Sequence, residues 1–357
     1  MTGSFALPSL GSTMKAMRFH GVGDLRLDEL AVPDPQPGEV RLRPLAVGLC
    51  GTDAHIFRGE FPAPSPVVLG HEIAGIVDAV GAGVKGLAEG DLATVQPNTY
   101  CGACRYCRMG REHLCSNLCA YGVHMNGGFA EAMVAQARVV YRLPTRLDPR
   151  LGCLAEPLAC CVHGMDRLAT QSGSTVLVIG AGLIGLMLTR LARLAGAGLI
   201  VSSEPQELRR ARALEFGADC AVDPNQEGER QAVAATHGEG FDFVIDAVGS
   251  SVTFSQAITL AARGGTILVF GCAPMQATAS VRPFDIYARE LTVIGSFINP
   301  YTHERAVSLL PQMGLEKLQI EAFPLAEFRQ AFEAHAATSA AAKVELLPQP
   351  ECLRREG

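Results

Sequence analysis

No run in this chain approaches the roughly 18–20 uninterrupted apolar residues that a membrane-spanning helix needs, so no membrane partner is expected. Basic residues are not in excess either. Thirty Lys and Arg against 36 Asp and Glu give a formal charge of −6, which offers nucleic acid no electrostatic footprint. Charged residues make up only 18% but hydrophobic ones 48%, an ordinary globular composition and not a disordered one. The opening segment lacks a charged stretch followed by an apolar core, so no signal peptide is expected and a cytoplasmic location is the default. Residues 1–14, rich in Gly, Ser and Thr near their start and end, read as a flexible extension. At 357 residues there is length for two domains, each with a core of its own.

Cysteine is present in force, with twelve residues, five of them between Cys101 and Cys119. In a long chain without a secretion signal such clustering points to metal binding and not to a disulfide framework. Cys153, Cys160, Cys161, Cys220, Cys272 and Cys352 lie among apolar or small residues and read as small hydrophobes.

The texture divides the chain into three zones. From Lys15 to about Pro144, short β-type runs such as residues 39–47 and 73–80 are broken by Gly and Pro, the pattern of a β-rich domain. From about Glu156, apolar strands at 175–179, 198–202, 221–223, 241–246 and 266–270 alternate with helical patterns at 183–194, 208–216 and 254–262. Continuous apolar strands alternating with helices predict a parallel sheet covered on both faces. Beyond Ser296 the pattern is mixed.

Gly180-Ala-Gly-Leu-Ile-Gly185 follows the first of these strands and opens a helix. Gly180 permits the tight turn, Gly182 lets the backbone approach a pyrophosphate, and Gly185 allows helix and strand to pack closely. The helix N-terminus then faces the phosphates. Glu204 ends the second strand, where a carboxylate accepts from ribose hydroxyls and repels a 2′-phosphate, so NAD is favoured over NADP. Arg209 stands near enough to serve a 2′-phosphate instead. Leu183, Ile184 and Val248 are counted with this cofactor site.

Cys101, Cys104, Cys107 and Cys115 form a C-x2-C-x2-C-x7-C array within a lobe at about residues 97–120. Four thiolates close a tetrahedral zinc site with no open position, which makes it structural. An iron–sulfur ferredoxin run begins the same way but continues after three residues with Cys-Pro. Here seven residues intervene and Ser116 follows, so zinc is favoured. Cys119 lies outside the spacing.

Three separated pieces, Cys50-Gly-Thr-Asp-Ala-His55, Gly70-His-Glu72 and Ala155-Glu-Pro-Leu158, assemble a mixed sulfur, nitrogen and oxygen donor set. A catalytic zinc keeps three protein ligands and an open position. As a Lewis acid it lowers the pKa of a bound alcohol and prepares hydride transfer to a nicotinamide. Thr52 and His55 could carry the released proton to solvent.

Taken together, Cys50-Gly-Thr-Asp-x-His55, Gly70-His-Glu72, Gly90-Asp91, the four-cysteine lobe, Gly127-Gly-Phe-Ala-Glu131, Glu156-Pro-Leu158 and the glycine-rich turn resemble the zinc-containing medium-chain dehydrogenases. The similarity runs from about Lys15 to Leu347 and is to the sorbitol (polyol) and threonine dehydrogenase branch. It implies a GroES-like catalytic domain at 15–155, a Rossmann NAD-binding domain at 156–296 and a return to the catalytic domain at 297–357. It also implies two zincs per chain and a homotetramer, with a dimer as runner-up. Glu156 stands where other alcohol dehydrogenases of this type place a second ligating cysteine, so Glu72 and Glu156 share the third catalytic-zinc position beside Cys50 and His71. After Ile294-Gly-Ser-Phe297 the chain continues with Ile298, Asn299 and Pro300 in place of the Arg and Tyr that sorbitol dehydrogenases often carry; Asn299 could bond a substrate hydroxyl. Ser203-Glu-Pro205 is similar to some threonine dehydrogenases. The expected reaction is oxidation of a secondary alcohol on a polyol or sugar-like substrate, with L-threonine the rival. A zinc-free quinone reductase and a non-enzymatic binding protein fit less well, because neither needs the full ligand set.

Overall fold

The alternation at the start of residues 39–47 buries Val40 and Leu42 and leaves Glu39 and Arg41 partly exposed, the period-two signature of a half-buried strand. That strand, Glu39–Gly48, occupies the centre of a seven-stranded sheet in the computed structural model, which describes residues 9–224, 227–337 and 342–353. Residues 1–8 of the expected N-terminal extension lie outside the described residues. Glu39–Gly48 pairs antiparallel with Glu72–Val80 on one side and with Lys343–Leu347 on the other, and also with Met133–Gln136. Leu92–Val95 and Val140–Arg142 extend the first flank, Ile320–Pro324 the second. A three-stranded sheet of Asp24–Ala31, Thr13–Gly21 and Val67–Val68 stands beside it in the sequence order of the same unit. Met17, Leu42, Leu49, Ile56, Leu69, Ile73 and Phe129 fill the core here and are essentially inaccessible.

Over the described residues the chain divides into two units. One is Met1–Pro157 with His303–Pro311 and Leu315–Gly357; the other is Leu158–Thr302 with Gln312–Gly314. The second unit is a six-stranded parallel sheet in the order Cys220–Val222, Leu199–Ser203, Thr175–Ile179, Phe241–Asp246, Ala261–Val269, Thr292–Gly295. Numbered along the chain this is 3-2-1-4-5-6, the doubly wound order of a Rossmann fold, with its switch point between Thr175–Ile179 and Phe241–Asp246. Leu177, Val201, Val244 and Ile267 make its core.

One helix differs from the sequence pattern at both ends. The helix expected at 254–262 is Ser251–Leu260. Ser250 Oγ accepts the Thr253 N–H and Thr253 Oγ1 accepts the Ser250 N–H, a reciprocal cap that starts the helix three residues early. Ala261 then pairs with Phe241 and joins the following strand, which is why the helix stops short. No helix among the described residues is long and apolar enough to cross a membrane.

Candidate catalytic and cofactor sites

The glycine-rich turn gives each glycine a separate physical task. Gly180 has φ +94°, and a Cβ there would lie 2.7 Å from Val248 Cγ2. A Cβ on Gly185 would come 1.9 Å from the Gly180 carbonyl oxygen, so helix and turn meet backbone to backbone. A Cβ on Gly182 would meet nothing within 4 Å, so that side of the turn has the room a pyrophosphate requires. Gly182 caps the helix Leu183–Leu194, whose first turn, with Leu183 and Ile184, presents N–H groups that no helical carbonyl satisfies.

Glu204 is buried at the end of the neighbouring strand, and both its oxygens are used. Oε2 accepts the Ala181 N–H at 2.9 Å and Oε1 the Gln206 N–H at 3.0 Å, so the carboxylate is fixed to the turn itself. Arg210 clamps the same loop by donating to the carbonyls of Glu204 at 2.9 Å and Pro205 at 2.6 Å. Sequence reasoning selected Arg209, which is partly exposed on the same helix, and missed Arg210. Asp246, also missed, accepts from the N–H groups of Val248 and Gly249 and from Thr253 Oγ1, and so shapes the segment that carries Val248.

In the first unit Cys101, Cys104, Cys107 and Cys115 converge within 4.8 Å of one another. Their sulfurs are 3.5 Å apart for Cys104–Cys107, 3.9 Å for Cys104–Cys115 and 3.5 Å for Cys115–Cys101. A tetrahedral zinc with Zn–S bonds of about 2.3 Å spaces its sulfurs by about 3.8 Å, so the cage has the size the ion needs. Backbone N–H groups of Cys104 and Asn117 point at the Cys101 and Cys115 sulfurs. N–H donation from Cys107 and Ser116 holds the Cys104 thiol down at about 6, which favours the thiolate a metal requires. Cys119 is not in the set.

A second donor group, Cys50, His71 and Glu72, also gathers within 4.8 Å. Cys50 caps the short helix Gly51–Phe57, and His71 and Glu72 start the strand Glu72–Val80 or immediately precede it. Asp53, fully buried, joins the two pieces. It accepts the Cys50 N–H at 2.9 Å and the Gly70 N–H at 3.4 Å, and lies 3.6 Å from His71 Nδ1. Burial alone would push the His71 imidazolium down, but Asp53 and Cys50 outweigh it and raise it well above its ordinary value. A half-buried thiol beside a buried imidazole and carboxylate, with a field that favours positive charge, is a pocket suited to a cation; zinc fits the donor chemistry. Behind it, Lys343 Nζ lies 2.5 Å from Glu72 Oε2, both side chains buried.

These features can be set against known proteins. Residues 36–145 match the alcohol dehydrogenase GroES-like domain, and residues 184–312 the zinc-binding dehydrogenase family. D-altritol 5-dehydrogenase of Agrobacterium fabrum is 37% identical over 340 residues, covering 93% of this chain and 99% of its own. The chain belongs to the zinc-binding alcohol dehydrogenases. L-threonine 3-dehydrogenase of Pyrococcus horikoshii is 34% identical over 274 residues, covering 75% of this chain and 78% of its own. A Sinorhizobium meliloti 1021 protein described as a zinc-binding dehydrogenase, solved with NADP bound, superposes with a TM-score of 0.91 at 40% identity, covering 95% of this chain and all of its own.

Other residues of this dehydrogenase singled out from sequence are placed less simply. Glu156 is buried in the first turn of the helix Ala155–Leu168 and is not among the three donors that converge. Thr52 Oγ1 lies 3.7 Å from Cys50 Sγ. His55 and Thr52 share no hydrogen bond among the described residues; His55 Nδ1 instead meets Glu60 Oε2 at 2.6 Å. Donation from Arg58 and then from His55 holds the Glu60 carboxyl down at about 2. Asn299 is fully buried between Ile298 and Tyr301, both with left-handed backbones. Asp53, Glu60 and Lys343 had been given no role. Asp53 sits inside the Cys50 motif and could have been found there, whereas Lys343 carries no local signal at all.

Proposed function

We propose that this chain oxidises a secondary alcohol of a polyol or sugar-like substrate with NAD, reversibly to the ketone. The convergence of Cys50, His71 and Glu72 within 4.8 Å of one another, two of them buried, carries this reading. A zinc ion bound there supplies Lewis acidity that lowers the pKa of a substrate hydroxyl. Cys50 and His71 are assigned as its firm ligands and Glu72 as the third, with Glu156 acting at most through water. The four-cysteine cage is assigned a second, structural zinc.

Thr52, beside the Cys50 sulfur, is assigned to receive the hydroxyl proton, and His55 to pass it outward. His55 Nδ1 is held by Glu60 and Arg58 together, which orients the ring and leaves Nε2 for proton exchange. Asn299 is retained as a substrate-orienting residue. The retained donor set argues against a zinc-free quinone reductase or a binding protein.

Preference for NAD rests on Glu204. Its carboxylate is held against the glycine-rich turn by two backbone N–H groups, where a 2′-phosphate would meet a fixed negative charge. The NADP found in the Sinorhizobium relative makes this preference a property to be measured on this chain. L-Threonine is the second reading, favoured by the Pyrococcus relative. One assay covers both questions: a polyol panel and L-threonine, each with NAD and NADP. The expected result is a higher kcat/KM on a polyol with NAD than on any other pairing. Faster turnover of L-threonine would replace the substrate assignment, and faster turnover with NADP would remove the role given to Glu204.

A homo-oligomer, tetrameric with a dimer as the runner-up, is also proposed. Among the described residues the strand Thr292–Gly295 ends its sheet with one edge unpaired, and Phe284 and Tyr287, shortly before it in sequence, are 66% and 79% exposed. An open edge beside exposed aromatic side chains is a surface that proteins normally cover. Light scattering after size exclusion should give two or four times the chain mass; a monomer would reject the assignment. A cytoplasmic location accords with cysteines gathered for metal binding.

A further inference from the structure

Gly48 sits opposite Glu72 on one neighbouring strand and opposite Glu345 on the other. Residues paired across a sheet share a face, and Lys343, two positions before Glu345, shares it too. Two carboxylates and one ammonium therefore collect over a residue with no side chain. The space is needed: a Cβ on Gly48 would lie 2.0 Å from Glu72 Oε2 and 2.7 Å from Lys343 Cε. All three charged side chains are buried, Glu345 completely.

The two carboxylates are unequally served. Glu72 has the Lys343 ammonium at 2.5 Å. Glu345 has no ion pair among the described residues: the Cys153 thiol donates to its Oε1 at 3.3 Å, and its Oε2, like that of Glu72, accepts no hydrogen bond there. Burial pushes the Glu345 carboxyl up to about 8, outweighing the Cys153 thiol and the Lys343 and Arg150 charges that act the other way. A buried, unfilled acceptor beside a buried lysine is a second resting place for that lysine.

We infer that Lys343 is a positioning residue that controls how far Glu72 is available to the metal, turning to Glu345 when it lets Glu72 go. This rests on the reading of Cys50, His71 and Glu72 as the metal centre. With Lys343 on Glu72, the ammonium competes with the metal for the same carboxylate and keeps the third position open to substrate. With Lys343 on Glu345, Glu72 is free to close it, and neither lysine nor carboxylate is stranded without a counter-charge.

The test is the rate at which the Cys50-dependent zinc of the full-length, two-zinc protein is lost to a colorimetric chelator. Lys343→Met should slow that loss by about tenfold or more, the scale on which residues behind metal ligands act. Glu345→Gln, which keeps the shape of the neutral acid but cannot become an anion, should speed it. Lys343→Arg should stay near wild type, and zinc in the four-cysteine cage should leave every variant at the same rate. Both variants shifting in one direction, or Lys343→Met leaving the rate unchanged, would overturn the proposal. If Lys343→Met does not fold, Glu345→Gln decides alone, and a rate no faster than wild type overturns it. A Cys50-dependent zinc whose release ignores Lys343 removes this assignment only; zinc content that ignores Cys50→Ser removes the metal-site reading with it.

Discussion

Cys50→Ser should leave a folded protein that keeps one zinc of two and has lost at least about a thousandfold in kcat/KM. The magnitude follows from what the pocket is built to hold: Lewis-acid stabilisation by a bound metal is worth several kcal/mol, and each 1.36 kcal/mol is about a decade in rate. Serine replaces a soft, easily ionised ligand by a hydroxyl that binds zinc poorly. The loss should be local. Cys50 is partly exposed at a helix start, and the Asp53 bonds to Cys50 N–H and Gly70 N–H involve only backbone donors that the substitution retains. Elemental analysis together with initial rates checks it. Undiminished activity, or two zincs retained, would show that the reaction does not pass through this donor set.

Cys104→Ser should act on the other zinc and on stability instead of chemistry. The lobe has little apolar packing to replace the ion: Tyr106, Met109 and Leu114 are exposed, and its ordered elements are the paired two-residue strands Asn98–Thr99 and Cys119–Ala120, the four-residue helix Arg105–Arg108 and the short turn Glu112–Leu114. Structural zinc contributes about 10–16 kcal/mol in small zinc domains, much of it folding energy. Here the loop is anchored at both ends, so the expected outcome is local unfolding. Residues 101–115 should become protease-sensitive, one zinc should be lost, and the apparent Tm should fall by about 3 °C or more, the shift that about 2 kcal/mol produces in a chain of this size. Limited proteolysis and a thermal scan would show it. A variant with unchanged zinc content and cleavage pattern would mean that the cage holds no structural ion.

The two predictions differ in how visible their sites were beforehand. The cage could be read directly because all four sulfurs come from fifteen consecutive positions, and such short spacing limits what geometry is possible. The glycine-rich turn was equally legible. Gly180, Gly182 and Gly185 do three separate jobs, and each is visible as a left-handed φ, an open space or a backbone contact. The catalytic donors were only partly legible. Three motifs supplied Cys50, His71 and two candidate acids, but nothing in one dimension chose between Glu72 and Glu156. The convergent set contains Glu72.

What the sequence determined by itself is therefore the local chemistry and the periodicity: parallel strands from continuous apolar runs, a dinucleotide turn, a cysteine cage, and the branch of zinc dehydrogenases to which these point. The tertiary structure decided the partners. It placed Glu345 and Glu72 on either side of Gly48, brought Lys343 from the far end of the chain to within 2.5 Å of Glu72, and bound Glu204 to the turn through Ala181 N–H. The reason is register. Which charges meet across a sheet depends on strand order and on a pairing offset of single residues, and a slip of one would turn Lys343 to the opposite face. The surroundings of Glu72, the proposed third ligand beside Cys50 and His71, thus depend on a pairing of Gly48 with Glu345 from the far end of the chain.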